Sequence, residues 1–368
     1  MKQIVKNIIR DTPRLFNLAM YVFFTRQFKK YLKIQNIPNK PCDGEKEYIE
    51  RWSKFNTTVE PYSYRLFSRY VQMERENIVP ENIGRCYIEP VLNPVKMRPV
   101  YEDKNMFPVL CGKDVFPLTL VCRMGGGPIL DSDLKTLTKS FDIYFEGYDR
   151  VILKPSVDSG SGKDIHLFVR EDGKFISKYD GSVMTIEFLL QYSKDFVVQE
   201  AINQHPSLAV FNPSSVNTLR IAVYRSVIDN EPHVLASVMR VGKSGMFVDN
   251  AHAGGLFVGI DIKTGEVDKA LFDQYGNKYS SLNSLDYSTG SYKIPHWEKA
   301  KEFTCNVARK LVHHRLFAFD VTIDSEGNPK LLEYNISAFS YWLFMFTNQK
   351  ALGEYTDEII EYCSVYKQ

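Results

Sequence analysis

The chain has 368 residues, 44% hydrophobic and 24% charged, so it can bury a sizeable core and exceeds the length of one small domain. Its 46 Lys+Arg against 44 Asp+Glu leave a net charge of +2, which excludes the strongly positive field that nucleic-acid binding calls for. Six dispersed cysteines (Cys42, Cys86, Cys111, Cys122, Cys305, Cys363) contain no C-x-x-C pair; this argues against a zinc site or a dense disulfide framework and suits a reducing cytoplasm.

Residues 1–35 read as an amphipathic, basic helical segment. Its apolar run Leu15–Phe24 includes Asn17, is too short to cross a bilayer, and is not followed by a small-residue cleavage site. A packed surface helix is expected, with a weak peripheral contact to a membrane surface as the alternative. Helical spacing continues in Tyr48, Trp52 and Phe55, then in Tyr64, Phe67 and Tyr70; the proline-bearing stretch Pro80–Pro99 reads as a crossing into a second unit. From Val115 the pattern turns to β-structure. Strands are predicted at Val115–Arg123, Arg150–Leu153, Ile165–Val169, Phe196–Gln199, Leu219–Tyr224, His233–Val241 and Leu256–Ile262, with helices at Leu134–Tyr144 and Ile186–Lys194. After Pro295, Trp297, Ala300, Phe303, Val307 and Leu311 form one helical stripe. No internal repeat or low-complexity tract interrupts the chain, and the fold class is α+β with mainly antiparallel sheets.

The run Phe317–Asp324, the loop Ser325-Glu326-Gly327-Asn328 and the run Pro329–Asn335 predict a hairpin. Pairing Asp324 with Pro329 and counting back puts Asp320 opposite Glu333, and alternation adds Asn335 to the same face. Like charges facing each other across a ladder are unfavourable unless a cation lies between them, and Mg²⁺ takes a few carboxylate oxygens together with phosphate and water. The alternative is the exposed face of a polar hairpin; the apolar flanks Leu331 and Leu332 argue for a central one.

The strand ending at Lys154 leads into Pro155–Lys163, a loop of Ser, Gly and Asp, before β-structure resumes at Ile165. Glycines here would let backbone N–H groups approach phosphate oxygens while a lysine supplies charge, and a mobile flap over residues 156–163 is expected; taken alone such a loop is an ordinary turn, and it is not a P-loop. Backbone groups at the end of the strand Phe196–Ile202 would suit an adenine edge. Arg220, Arg240 and His252 taken singly read as structural residues, and no Ser-His-Asp or Cys-His arrangement stands out.

Taken in order, Asp103-Lys104 before a helix, Leu153-Lys154-Pro155, the Ser/Gly loop, Val198-Gln199-Glu200, Thr218-Leu219-Arg220, Asn250 with Gly254-Gly255, Asp320 and Glu333-x-Asn335 resemble the ATP-grasp superfamily. The likeness runs over residues 100–345 and is nearest to the sugar-transfer-associated ATP-grasp proteins of bacterial surface-polysaccharide pathways. It implies a helical N-terminal region (1–98), a first subdomain with a phosphate-binding flap (99–200), and a second with the metal hairpin and a C-terminal helix (201–368). It also implies roles. Lys104 and Lys154 would contact the ATP phosphates, with Lys154 also near the purine; Ser159, Gly160, Ser161, Gly162 and Lys163 would close over the β- and γ-phosphates. Gln199, Glu200 and Ile202 would line adenine, Arg220 and Arg240 would stabilise the transferred phosphoryl group, and Asn250 would frame the acceptor end. Asp320, Glu333 and Asn335 would hold two Mg²⁺, with Glu333 bridging. Gln199 departs from the acid that many superfamily members carry; its amide carbonyl can accept the same bond from the adenine amino group.

The resemblance implies a cytoplasmic carboxylate–amine ligase working through an acylphosphate, on a sugar acid or amino sugar and an amine or amino acid. A kinase using the same cradle on a sugar hydroxyl is the second expectation, and an ATP-binding scaffold without turnover the third.

Overall fold

The computed structural model describes residues 12–72, 74–157, 164–245, 249 and 254–366. The expected flap residues Ser159–Lys163, together with Asn250 and His252, lie outside the described residues. All strand pairing among the described residues is antiparallel, and helices and sheets segregate as an α+β chain should.

Six strands build a first sheet in the order β2-β1-β6-β3-β4-β5: β1 (Thr119–Arg123), β2 (Ile129–Asp131), β3 (Arg150–Pro155), β4 (His166–Glu171), β5 (Lys174–Ser177) and β6 (Phe196–Glu200). One face is apolar: Val121, Val151, Leu153, Phe168, Phe196 and Val198 close a core with Phe145 and Leu189. The expected helix over Leu134–Tyr144 is not there. Asp131 Oδ1 accepts from the N–H groups of Asp133 and Lys135, and Leu134 takes a left-handed φ of 62°. The Tyr144 hydroxyl then accepts from Thr138 N–H, so side chains satisfy the backbone where a helix would have done so, leaving one short 3₁₀ turn at Phe141–Phe145. The helix at Ile186–Gln191 forms, with Thr185 Oγ1 accepting from Phe188 N–H as its N-cap.

The second sheet has the order β11-β10-β9-β8-β7-β14-β15: β7 (Thr218–Arg225), β8 (Pro232–Val241), β9 (Leu256–Ile260), β10 (Val267–Phe272), β11 (Lys278–Tyr279), β14 (Leu316–Ile323) and β15 (Pro329–Asn335). A small separate hairpin pairs β12 (Ser281–Leu282) with β13 (Leu285–Asp286). Both faces of this sheet are covered, which is why every residue of β7 and β14 is buried. On one face Leu219, Ile221, Val223, Phe317 and Phe319 pack under the helix Trp297–Lys310, whose Trp297, Ala300 and Val307 form the expected stripe. On the other, Ala222, Ala236 and Ala318 are small, and the aromatic N-terminal region (Phe28, Tyr48, Trp52, Tyr64, Phe67) packs against them together with Phe344, Phe346 and Ile359.

The long helix Pro13–Ile34 is anchored at its C-terminal half by Phe28, Tyr31 and Leu32; nearer its start Leu15, Leu18 and Phe23 are exposed. Among the described residues no helix is long and apolar enough to cross a membrane.

Candidate active site

Register decides which polar side chains meet. In the second sheet Asp320 lies between Arg220 on β7 and Glu333 on β15. Thr218 pairs with Arg240 on β8, so all of these residues share the face that further along carries the three alanines. The polar group thus occupies the end of a face whose remainder is apolar core.

The β14–β15 hairpin reaches this arrangement by a route different from the expected one. At the turn Ile323, not Asp324, pairs with Pro329, and the regular ladder runs to Val321↔Leu331. A β-bulge then inserts Leu332 on β15, restoring Asp320↔Glu333. The extra residue matters. Leu331 and Glu333 are two apart and would share a face in a regular strand; the bulge leaves Leu331 in the apolar core and turns Glu333 to the polar face. The carbonyl of Leu332 accepts from Lys154 Nζ at 3.4 Å, which ties the first sheet to the second.

The charges are tightly paired. Arg220 grips Asp320 with two parallel bonds, Nε to Oδ1 at 2.6 Å and Nη2 to Oδ2 at 3.0 Å. Arg240 Nη2 stands 3.3 Å from Asp320 Oδ2 and 3.6 Å from Asp249 Oδ1. Burial pushes the Asp320 carboxyl up, but the two guanidiniums outweigh it and hold its pKa below the ordinary value. For Asp249 burial wins over Arg240, and its pKa is raised. Asp249, whose Oδ2 also accepts from Thr218 N–H, was missed by sequence reasoning, which singled out its neighbour Asn250.

Lys104 is 4% exposed, and its Nζ lies 3.0 Å from Glu333 Oε1; its own N–H donates to Ser156 O, fastening it to the end of β3. Lys154 has its pKa pushed down to about 8, first by burial and then by Lys104, while Glu333 pulls the other way. Asn335 donates Nδ2 to Ala318 O at 3.2 Å and, more distantly, to Asp320 Oδ2 at 3.5 Å, so Oδ1 is the atom it has left for a ligand.

In the first sheet Ile152 pairs with Gln199 and Lys154 with Val197, so these four share the face opposite the apolar core. Gln199 is buried and donates Nε2 to Pro117 O at 3.1 Å and Thr119 Oγ1 at 3.2 Å, while Oε1 has no partner among the described residues. A backbone carbonyl only accepts, so the amide orientation is settled by chemistry: nitrogen faces Pro117 and oxygen is the unused acceptor. Glu200 pairs with Val151 and lies on the other face, where Oε1 accepts from Leu118 N–H while its own N–H donates to Leu118 O; its carbonyl is the group that could meet a ligand beside Gln199. Ile202 follows just beyond the strand end.

Lys104, Lys154, Arg220 and Arg240 outnumber Asp249, Asp320 and Glu333, so this cluster has a net positive charge suited to a polyanion. Its oxygen donors suit Mg²⁺. No group of three His, Cys, Asp or Glu side chains able to hold a metal exists among the described residues. Two carboxylates and an amide oxygen match an ion that completes its shell with water and phosphate, and not one that needs a full protein cage. Asp320 Oδ1 carries a single donor and retains a lone pair for such an ion.

Solved structures of similar fold include D-cycloserine synthetase DcsG (10% identity, TM-score 0.42, covering 74% of this chain and 73% of that one). The ATP-grasp ligase PsnB complexed with minimal precursor matches at 14% identity and TM-score 0.38 over 73% of this chain, and this chain spans only 63% of it. The D-alanine–D-alanine ligase of Bacillus anthracis matches at 13% identity and TM-score 0.35, covering 72% of this chain and 68% of that one. No curated protein sequence matches the chain. The profile described as sugar-transfer associated ATP-grasp, however, matches residues 85–360, from the segment that carries Lys104 to the last helix, and the protein belongs to that family.

Proposed function

We propose that this protein is a Mg²⁺-ATP-dependent carboxylate–amine ligase acting on a sugar acid or amino sugar, in the modification of a bacterial surface polysaccharide or its precursor. The carrying observation is the convergence of Lys104, Arg220 and Arg240 on two facing carboxylates, with Lys154 reaching from one sheet to the bulge of the other. Family membership supports the nucleotide and the sugar context. On this reading residues 99–200 and 201–368 are the two lobes that grip ATP.

Glu333, Asp320 and Asn335 would hold two Mg²⁺, which supply charge neutralisation at the phosphates. Lys104 and Lys154 would bind the triphosphate, and the flap Ser159–Lys163 would cover it. The unused Gln199 oxygen would accept from the adenine amino group, with the backbone of Glu200 and Ile202 alongside. Arg220 and Arg240 would orient the γ-phosphoryl group as a substrate carboxylate oxygen attacks phosphorus and the bond to ADP breaks; Asn250 would frame the acceptor. An amine then attacks the acyl carbon, phosphate leaves, and the amine loses a proton. Nothing in this sequence demands a nucleophilic side chain, only positioning and charge.

The reading includes a cytoplasmic address and a weak peripheral contact through the helix Pro13–Ile34, where exposed Leu15, Leu18 and Phe23 precede Arg26, Lys29 and Lys30. The test is mass spectrometry of products formed from ATP and a library of sugar acids, amino sugars and amino acids. An amide product with release of ADP and phosphate, dependent on both substrates, is expected; a phosphorylated sugar as the sole product would identify a kinase and overturn the ligase reading.

A further inference from the structure

β15 is the outermost strand of its sheet, paired on one edge only, and the residues bearing Glu333 and Asn335 form its end. Edge strands fray from such ends. Here the strand end is met by Lys104, and the chain beyond Asn335 is gripped by four more side chains from the stretch 81–104. Lys104 Nζ meets Glu333, and Asn93 Nδ2 donates to Ile336 O at 2.8 Å. Glu102 Oε1 accepts from Ser337 Oγ at 2.7 Å. Glu89, 1% exposed, accepts from two successive amides, Ala338 N–H at 2.8 Å and Phe339 N–H at 3.1 Å. Glu81 Oε1 accepts from Trp342 N–H at 2.8 Å.

The gripped turn is strained. Ala338 and Ser340 have φ of 55° and 66°, in the left-handed region that side chains other than glycine occupy at a cost. Ala338 is exposed, and the one local side-chain bond in the turn, Ser340 Oγ to Ala338 O at 3.1 Å, leaves the amides of Ala338 and Phe339 to the carboxylate fork of Glu89. Arg85 Nη1, 2.8 Å from Glu89 Oε2, balances its charge. A carboxylate accepts from both amides at once; a glutamine would set its NH₂ against one of them.

We propose that Glu89, with Glu81, Asn93 and Glu102, positions the metal-binding end of the site: together they hold the strained turn after Asn335 and so keep Glu333 and Asn335 in register. This rests on the metal assignment made above. It gives the segment 81–104 a task in the chemistry that its short helices do not announce in sequence.

The test is a Mg²⁺ titration of β,γ-imido-ATP binding by calorimetry on the full chain, beside thermal melts and amide exchange at residues 336–342. Glu89→Gln should raise the half-saturating Mg²⁺ about tenfold and speed exchange at Ala338 and Phe339, with analogue affinity at saturating Mg²⁺ within about twofold of wild type. Ser337→Ala and Glu102→Gln, at the solvent end of the grip, should raise the Mg²⁺ requirement about two- to threefold without moving the melting temperature, and they carry the test if Glu89→Gln does not fold. An unchanged Mg²⁺ requirement in the folded members of this set overturns the proposal. Glu333→Gln separates the two failures: if it shifts the Mg²⁺ requirement while the positioning variants do not, only the grip falls, and if it too leaves the requirement unchanged, the metal assignment falls and takes the grip with it.

Discussion

The two sheets offer their polar side chains in opposite ways. In the second sheet Asp320 and Arg220 are nearly sealed from solvent and are fixed to each other by two bonds before any ligand arrives. In the first, among the described residues, Lys154 has a single long bond to a carbonyl and Gln199 keeps a buried oxygen with no partner. The difference is one of stored geometry against stored capacity. Paired charges hold positions in a low-dielectric site, as stabilising a transferring phosphoryl group requires, whereas an unspent acceptor is the way to recognise a base edge.

The largest effect should come from breaking the paired side. Asp320→Ala leaves Arg220 and Arg240 buried without their shared partner and should cost about 3–5 kcal/mol of stability by urea denaturation, besides abolishing turnover. A loss within the range of an ordinary surface substitution would mean that the pair is not the keystone of this face. Arg220→Lys keeps the charge and loses the parallel bonds; turnover should fall roughly a hundredfold, with a much smaller change in ATP affinity. A rate within about twofold of wild type returns Arg220 to an ordinary structural ion pair.

Lys154 sharpens the comparison through pH. Because its pKa is lowered from 10.5 to about 8, the folded chain gives up a proton that the unfolded chain keeps between those values, so this group makes stability rise with pH across that window. Binding runs the other way. Affinity for β,γ-imido-ATP should fall by about tenfold per pH unit as pH rises above 8, and Lys154→Met should bind weakly and without that dependence. A wild-type profile flat from pH 7 to 9 would count against a phosphate contact by Lys154.

The smallest effect belongs to the unspent side. Gln199→Leu removes one neutral acceptor from the proposed adenine edge and should weaken ATP binding about five- to tenfold, near 1 kcal/mol, while affinity for inorganic triphosphate stays unchanged. Equal losses for ATP and triphosphate would show that Gln199 shapes the sheet and does not read the base.

Much of this was legible beforehand because it is local. The β-rich runs Phe317–Ile323 and Pro329–Asn335 around a turn announce the hairpin, but the count that brought Asp320 to Glu333 began from Asp324 and Pro329, a pair the structure replaces with Ile323 and Pro329. The strands that carry Lys154 and Gln199 were each predicted; that they share a face follows only from the pairing of β3 with β6. Composition and motif order likewise led to an α+β chain of the ATP-grasp family. The helix expected at Leu134–Tyr144 failed because Asp131 and Tyr144 offer the backbone bonds that compete with a helix, and hydrophobic spacing does not register such bonds.

What only the tertiary structure decided are the features made by residues far apart in the chain. The bulge at Leu332 answers to the core, which demands Leu331 on one face while the site demands Glu333 on the other. Lys154 finds the carbonyl of a residue 178 positions away, and Glu89 finds amides about 250 positions away. No periodicity records any of these bonds; the partner is chosen by how two sheets and a helical region pack, after each strand has formed on information of its own.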